Sequence, residues 1–248
     1  MEPVIHSSTR YDLVLHSDAA RSQPTWAATT HPIWLNPLSA AALSFDGERQ
    51  HLATTIPLTI ALPFTLEAWV RVTDWNEERP IVRWGSLGSA AGFELTVTIE
   101  GTVAWQWGAI AAESTTASPN RLITDEPIAV DTFTHIALVA SVVDDETDAV
   151  QLSLLINGEN AQRATLTTPL VGQSLPLLVG QGGTPSAPTH FQGWMKEVRL
   201  WQSDRTAALI DHLYHPLTGR EATLLSYWPL TQIEASGADL LTPTQVGN

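Results

Sequence analysis

Apolar and polar positions alternate in short runs along most of the chain, which is the period of a strand with one buried face. The clearest run is Phe64–Val72, where Phe64, Leu66, Ala68, Val70 and Val72 share one face and Thr65, Glu67, Trp69 and Arg71 the other. Phe191–Trp201 alternates in the same way, and its core side is either Val198 with Leu200 or the Met195/Trp201 set. Further strands are predicted at 80–85, 93–100, 102–108, 121–128, 132–143, 150–157, 161–166 and 175–180, with Gly, Pro, Asn and Asp at nearly every junction. Ala41–Gly47, stopped by an Asp-Gly turn, and His51–Ile56 read together as a hairpin. Ahead of them, Tyr11–His16 reads as an edge strand, followed by a Ser/Pro/Thr-rich loop holding Trp26 and Trp34. One helix is expected after Ser203-Asp204, either of which can cap it, with Ala207, Leu209, Ile210 and Leu213 as its apolar stripe. Many short strands and a single helix predict an all-β, antiparallel two-sheet sandwich with one short helix near the C-terminus.

Composition narrows the function classes. The chain has 248 residues, 44% of them hydrophobic and 15% charged, which is enough apolar material for one large sandwich core. Twelve basic against 26 acidic residues leave a net charge of −14, which repels nucleic acid and anionic lipid. No run approaches the roughly 18 apolar residues of a membrane span. The start, Met1-Glu-Pro-Val-Ile-His6, has neither a basic nor an apolar leader region, so the chain reads as cytoplasmic or as a domain of an exported protein. Zero cysteines remove disulfides and thiolate chemistry.

The ordered motifs carry a family resemblance. They are Ala42-Leu-Ser-Phe-Asp-Gly47, Phe64-Thr-Leu-Glu-Ala-Trp-Val-Arg71, Thr134-His-Ile-Ala-Leu-Val139 leading to Leu155-Ile-Asn-Gly-Glu159, Leu178-Val-Gly180 and Phe191–Trp201. As a set they resemble the LamG-like jelly-roll domains, the laminin-G and pentraxin-like branch of the concanavalin A-like lectin/glucanase superfamily. The resemblance implies a single jelly roll over 41–230, with 1–40 as an N-terminal strand and loop packed on it. His215–Leu230 looks like the junction between tandem units, and 231–248 like the start of a following one, which implies a multidomain parent. The resemblance also makes Asp46 the expected side-chain ligand of a structural Ca2+; the other reading is that Asp46 simply makes its turn.

Catalysis has no visible seat. The glucanases of this superfamily set carboxylates at alternate strand positions, and no Glu-x-Asp-x-Glu or Glu-x-Asp-x-x-Glu occurs here. Asp144-Asp-Glu-Thr-Asp148 lies between two strands and reads as a solvated loop or a cation site. His212 and His215, three apart without a carboxylate, read as ordinary surface residues.

Ten tryptophans stand out, because the indole suits stacking on sugar rings. Trp105 and Trp107 share a face with Val103, which favours core over a ligand platform. Trp75, beside Asp74 and Asn76 in a polar loop, is a better ligand candidate, and Trp84 at a strand end is open to either role. Trp69, Trp194, Trp201 and Trp228 fall in the family-like motifs and are assigned to packing. Glu67 with Arg71, and Glu197 with Arg199, occupy alternate positions of strands whose opposite faces are apolar, and read as charges that pair across to neighbouring strands. The expected function is non-catalytic recognition of a glycan or glycosylated surface through Trp75, Asn76, Trp84, Trp105 and Trp107. The alternative is a protein-interaction or spacer module without a sugar site, and a glycoside hydrolase is the least favoured class.

Overall fold

The computed structural model of the chain describes residues 4–5, 13–16, 41–85, 92–108, 121–144, 149–166, 173–184, 187–209, 213–215 and 217–231. Two antiparallel sheets face each other, as the alternation predicts. Sheet A has eight strands in the order β1 (Val4–Ile5), β2 (Leu13–His16), β4 (His51–Thr54), β15 (Leu177–Val179), β7 (Arg79–Gly85), β8 (Gly92–Val97), β9 (Val103–Trp107) and β10 (Arg121–Ile123). Sheet B runs β13 (Glu159–Leu166), β12 (Ala149–Ile156), β11 (Thr134–Asp144), β6 (Phe64–Val72), β18 (Gln192–Trp201) and β19 (Leu224–Trp228), with β3 (Leu43–Asp46) also paired to β18. Two small ribbons complete the set: β5 (Leu58–Thr59) with β14 (Ser174–Leu175), and β16 (Gln181–Thr184) with β17 (Ala187–His190).

Between the sheets lies one apolar core. The even face of β6 meets Ile136, Leu138 and Ala140 of β11 on its own sheet and Trp84, Phe93, Leu95 and Trp105 from sheet A. Burying each such side chain stabilises the fold by about 1.5–3 kcal/mol.

Three expectations change. Residues 41–56 are not a hairpin: β3 pairs with β18 in sheet B, whereas β4 pairs with β2 and β15 in sheet A. The Asp-Gly turn, with Gly47 at φ 79, carries the chain from one sheet to the other. Nor is the Tyr11–His16 segment the edge, since β2 lies between β1 and β4. In β18 the core side takes residues from both candidate sets, namely Met195, Val198 and Leu200. Lys196 pairs with Trp69 and Arg199 with Glu67, so Glu197 and Val198 together oppose Ala68. This bulge, with Glu197 at φ 55, shifts the alternation by one residue.

The outer face of sheet B is also covered. Leu209 packs on Ala137, Val139 and Leu155, and Leu213 on Trp69 with Phe133 alongside. Thr65 Oγ1 donates to Ser203 O (2.9 Å) and accepts from Arg205 N (3.1 Å), which docks the start of this segment. Thr206 N donates to Asp204 Oδ1 (2.8 Å) and Leu209 N to Arg205 O (2.9 Å), a capped turn where the helix is expected. Residues 210–212 of that expected helix lie outside the described residues, among which no helix is long and apolar enough to cross a membrane.

Candidate functional site

The outer face of sheet A carries a polar row. Arg83 of β7 pairs in register with Glu94 of β8, Glu94 with Gln106 of β9, and Gln106 with Arg121 of β10. Their neighbours Trp84, Phe93, Leu95, Trp105, Trp107 and Leu122 belong to the core, so alternation sends these four side chains outward. With strands about 4.8 Å apart, the row spans roughly 14 Å. Beside it runs an uncharged row, Thr96 paired with Ala104 and Ala104 with Ile123. Thr96 and Ala104 are buried, while Ile123 is 38% exposed. Glu78, the residue before β7, places Oε1 at 3.7 Å from Arg121 Nη2. Because β8 and β9 lie between their strands, these two side chains reach toward each other across the sheet.

One end of the row is closed. Gly183 N donates to Glu94 Oε2 (3.0 Å), and Arg83 donates to Gly183 O (2.8 Å) and Gly85 O (2.7 Å). The β16–β17 ribbon thus lies on Arg83 and Glu94, so closely that a Cβ on Gly182 would come within 2.5 Å of the Glu94 carboxylate. Burial pushes the Glu94 carboxyl up to about 7; the Gly183 amide opposes this, Glu78 adds to it, and Arg83 and Arg121 oppose it. At the other end, among the described residues, the side chains reach solvent. The side chains of Arg121 and Glu78 are 29% and 42% exposed, and Gln106 is half-buried between them and Glu94. Arg121 Nε is buried without a hydrogen-bond partner among the described residues.

The residues singled out from the sequence are distributed differently. Trp84, Trp105 and Trp107 are core side chains: Trp84 donates its Nε1 to Leu58 O (3.1 Å), and Trp105 stacks on Trp107 with centroids 4.5 Å apart. Their faces are occupied by protein, as the company of Val103 suggests for Trp105 and Trp107. Trp75 is half-buried against the core, its ring lying over Gly101 of the β8–β9 turn, where a Cβ would come within 2.6 Å. Asn76 is exposed and donates its backbone N to Asp74 Oδ1 (3.2 Å), while Arg79 fastens the loop through Asp74 (2.7 Å) and Glu77 (3.3 Å). That loop ends in Glu78, so Trp75 and Asn76 adjoin the polar row without belonging to it.

Asp46 makes its turn. Its Oδ1 accepts from the amides of Glu48 (3.0 Å), Arg49 (3.3 Å) and Gln50 (3.3 Å). Calcium needs some 6–8 oxygens, and since no group of three or more His, Cys, Asp or Glu among the described residues could hold a metal, an ion at Asp46 would take most of its shell from backbone carbonyls. His212 and residues 145–148 of the acidic loop lie outside the described residues; His215 is exposed and its carbonyl accepts from Arg199 Nη2 (3.0 Å).

The charges on sheet B pair across strands, as expected, with Glu67 reaching Arg199 of β18 and not Arg71. Glu67 bonds His135 Nε2 (2.7 Å) and Trp201 Nε1 (2.6 Å), with Arg199 Nη1 at 3.8 Å, while Arg71 turns to Asp131 (3.2 Å). Arg199 also bonds Glu197 (2.7 Å), which accepts from Tyr227 Oη (2.8 Å). Burial works to raise the Glu67 carboxyl, but His135, Arg199 and Trp201 outweigh it and hold it below the usual carboxylate range. Glu67, His135, Glu197, Arg199, Trp201 and Tyr227 are all buried and closed to a ligand, whereas Arg71 and Asp131 are 30% and 61% exposed.

Sequence reasoning missed Glu78, Glu94, Gln106 and Arg121. Phe93-Glu-Leu-Thr96 shows by alternation that Glu94 faces away from the core, but the alignment of four strands into one row is set by register, which no single strand reveals.

Comparison with known proteins agrees with the fold. No curated protein sequence matches the chain. Domain 4 of AbnA, an extracellular arabinanase from Geobacillus stearothermophilus solved with arabinotriose, matches with a TM-score of 0.55 and 13% identity over 80% of this chain and 86% of that one. A heptameric SAP-like pentraxin from Limulus polyphemus matches with a TM-score of 0.50 and 13% identity over 77% and 89%. A candidate carbohydrate binding protein from Bacteroides ovatus matches with a TM-score of 0.53 and 18% identity over 73% of this chain, which spans only 49% of that longer one. The laminin-G family model covers residues 46–211, that is 166 of the 248 residues, and the protein belongs to this family of the concanavalin A-like lectin/glucanases superfamily.

Proposed function

We propose that the chain is a non-catalytic carbohydrate-recognition module that binds a glycan on the outer face of sheet A. One observation carries this reading: on sheet B the outer face around Trp69, Ala137 and Val139 is covered by Leu213 and Leu209, while at the β10 end of sheet A the polar side chains of Gln106, Arg121 and Glu78 reach solvent. Sugar sites need such convergent donors and acceptors on a rigid sheet. The arabinanase domain solved with arabinotriose shares this fold, which supports the reading by analogy. Hydrolysis is disfavoured because Glu94, the carboxyl raised toward neutrality, is 2% exposed and closed off by the β16–β17 ribbon. A multidomain parent, in which the module serves as a targeting unit, is part of the same proposal.

A glycan array followed by calorimetry tests it. Binding is expected for the wild type and weakened at least about tenfold in Gln106→Ala, the scale of one or two lost hydrogen bonds, with an unchanged melting temperature. A blank array would overturn the reading in favour of a protein-interaction or spacer module, and turnover of a bound glycan would overturn its non-catalytic part.

A further inference from the structure

We infer that His16, His51 and His190 form a binding site for a divalent transition-metal ion of the zinc class, on the outer face of sheet A where β2, β4 and the β16–β17 ribbon meet. The site is separate from the polar row of β7 to β10 and stands independently of the glycan reading.

Three strands bring the histidines together. β4 begins at His51, and Leu52 beside it lies in the core, so alternation sends His51 outward. His16, the last residue of β2, enters by its register position opposite His51, on the same face. Cβ atoms of residues directly opposite on antiparallel strands stand about 4.5–5.5 Å apart, a spacing from which two imidazoles can share one ion. His190 arrives from the ribbon. β15 pairs Val179 with Leu52, which sets Gly180 beside His51, and Phe191 N donates to Gly180 O (2.9 Å), which returns the ribbon to the same place. The His51 and His190 ring centres are 6.2 Å apart. Two imidazoles whose nitrogens lie about 2.0–2.1 Å from a shared ion have ring centres roughly 5–6 Å apart, so a small turn of either ring closes the pair.

Hydrogen bonds orient both rings as ligands. His51 Nδ1 lies 3.2 Å from Arg49 O; a carbonyl only accepts, so Nδ1 carries the hydrogen and Nε2 keeps its lone pair. A backbone carbonyl on the far nitrogen is a usual outer partner of a metal-bound histidine. His190 Nε2 lies 3.1 Å from Gln181 Nε2, and an amide nitrogen only donates, so this ring is neutral too. Either nitrogen of His190 can serve: Nε2 by displacing the amide, or Nδ1 once the amide turns its oxygen to Nε2–H. Burial pushes the His190 ring below its ordinary value, which favours the neutral imidazole that a metal requires, while Asp46 opposes this and adds negative potential nearby. Asp46 is engaged by the three amides of its turn and is not counted as a ligand. Both rings are half-buried, within reach of an ion from solvent. Imidazole nitrogens select Zn2+, Ni2+ or Cu2+ over Ca2+ and Mg2+.

Calorimetry on the full chain, stripped with chelator and titrated with Zn2+, tests the site, with Ca2+ as the control. A single Zn2+ is expected to bind, without comparable heat from Ca2+, and to raise the melting temperature because it ties β2, β4 and the ribbon of the folded chain. His16→Ala, His51→Ala and His190→Ala are each expected to weaken Zn2+ at least about tenfold, while His215→Ala, on the sheet B side, changes it less than about twofold. His51→Gln and His190→Gln, which keep a polar side chain, repeat the measurement, and melting temperatures without metal verify folding. No Zn2+ binding, equal binding of Ca2+, or Zn2+ binding unchanged in the His51 and His190 variants would overturn the inference. Binding that is lost in those variants but survives His16→Ala would overturn the three-histidine site. The glycan array reads recognition on the polar row separately from all of these outcomes.

Discussion

Glu94 shows how one buried carboxyl can shape the pH response of the whole chain. It is 2% exposed, and burial raises it from 4.5 to about 7. Between these values the folded chain holds a proton that the unfolded chain has released, so this group makes stability fall as pH rises from about 4.5 to about 7. A shift of this size corresponds to on the order of 3 kcal/mol. Arg83 on β7, Arg121 on β10, Glu78 before β7 and the Gly183 amide on β16 are the groups acting on it. Glu94→Gln keeps an acceptor for Gly183 and removes the titration. The variant is therefore expected to lose this decline, and the difference in urea-unfolding free energy between it and the wild type should grow from pH 4.5 to pH 7 and then level off. Glu67 works with the opposite sign: its carboxyl is lowered, so its stability is present above the ordinary carboxylate range and lost as pH falls through its depressed value. Comparing variant with wild type cancels that background. A flat difference across the range would show that Glu94 is not the raised carboxyl.

At the scale of elements, β18 explains what alternation can and cannot reveal. The Phe64–Val72 run is read correctly from its period, because β6 is regular along its length and its odd and even sets face opposite sides. In β18 the same reading leaves two candidate sets open, and the answer mixes them because the bulge at Glu197 adds a residue in mid-strand. Nothing local in Met195-Lys-Glu-Val198 marks a bulge; it is imposed by Arg199 aligning with Glu67 and by Glu197 N donating to Pro229 O (3.1 Å). The 41–56 segment fails for a related reason. An Asp-Gly turn serves a hairpin and a sheet crossing equally well, and only the partners β18 and β15 decide.

The buried network pins this bulge. Arg199, 1% exposed, lies between Glu67 and Glu197. Removing it leaves two carboxylates buried without their cation, a change that costs about 3–5 kcal/mol. Arg199→Met keeps most of the volume, so a loss of that size in denaturant unfolding would be electrostatic. A loss below about 1 kcal/mol, the scale of an exposed pair, would show that the network is solvated.

For the whole molecule, the consequence is an asymmetry between its two outer faces. The chain returns after β18 and lays Leu209 and Leu213 on sheet B, burying Trp69, Ala137 and Val139, while on sheet A it leaves Gln106, Arg121 and Glu78 within reach. If this division is functional, damage to the sheet B cover should leave the sheet A site intact. Leu213→Ala removes an apolar contact from Trp69, which is 3% exposed beneath it. The expected cost is about 2–5 kcal/mol, with Trp69 becoming accessible to a fluorescence quencher. The two sites lie on opposite sides of the core and share no partner, so their effects should be additive and the Kd for a bound oligosaccharide should stay within about twofold of the wild type. Binding that weakens in step with the loss of stability would mean that sheet B or its cover contributes to the site, and the site would then have to be sought on the other side of the sandwich.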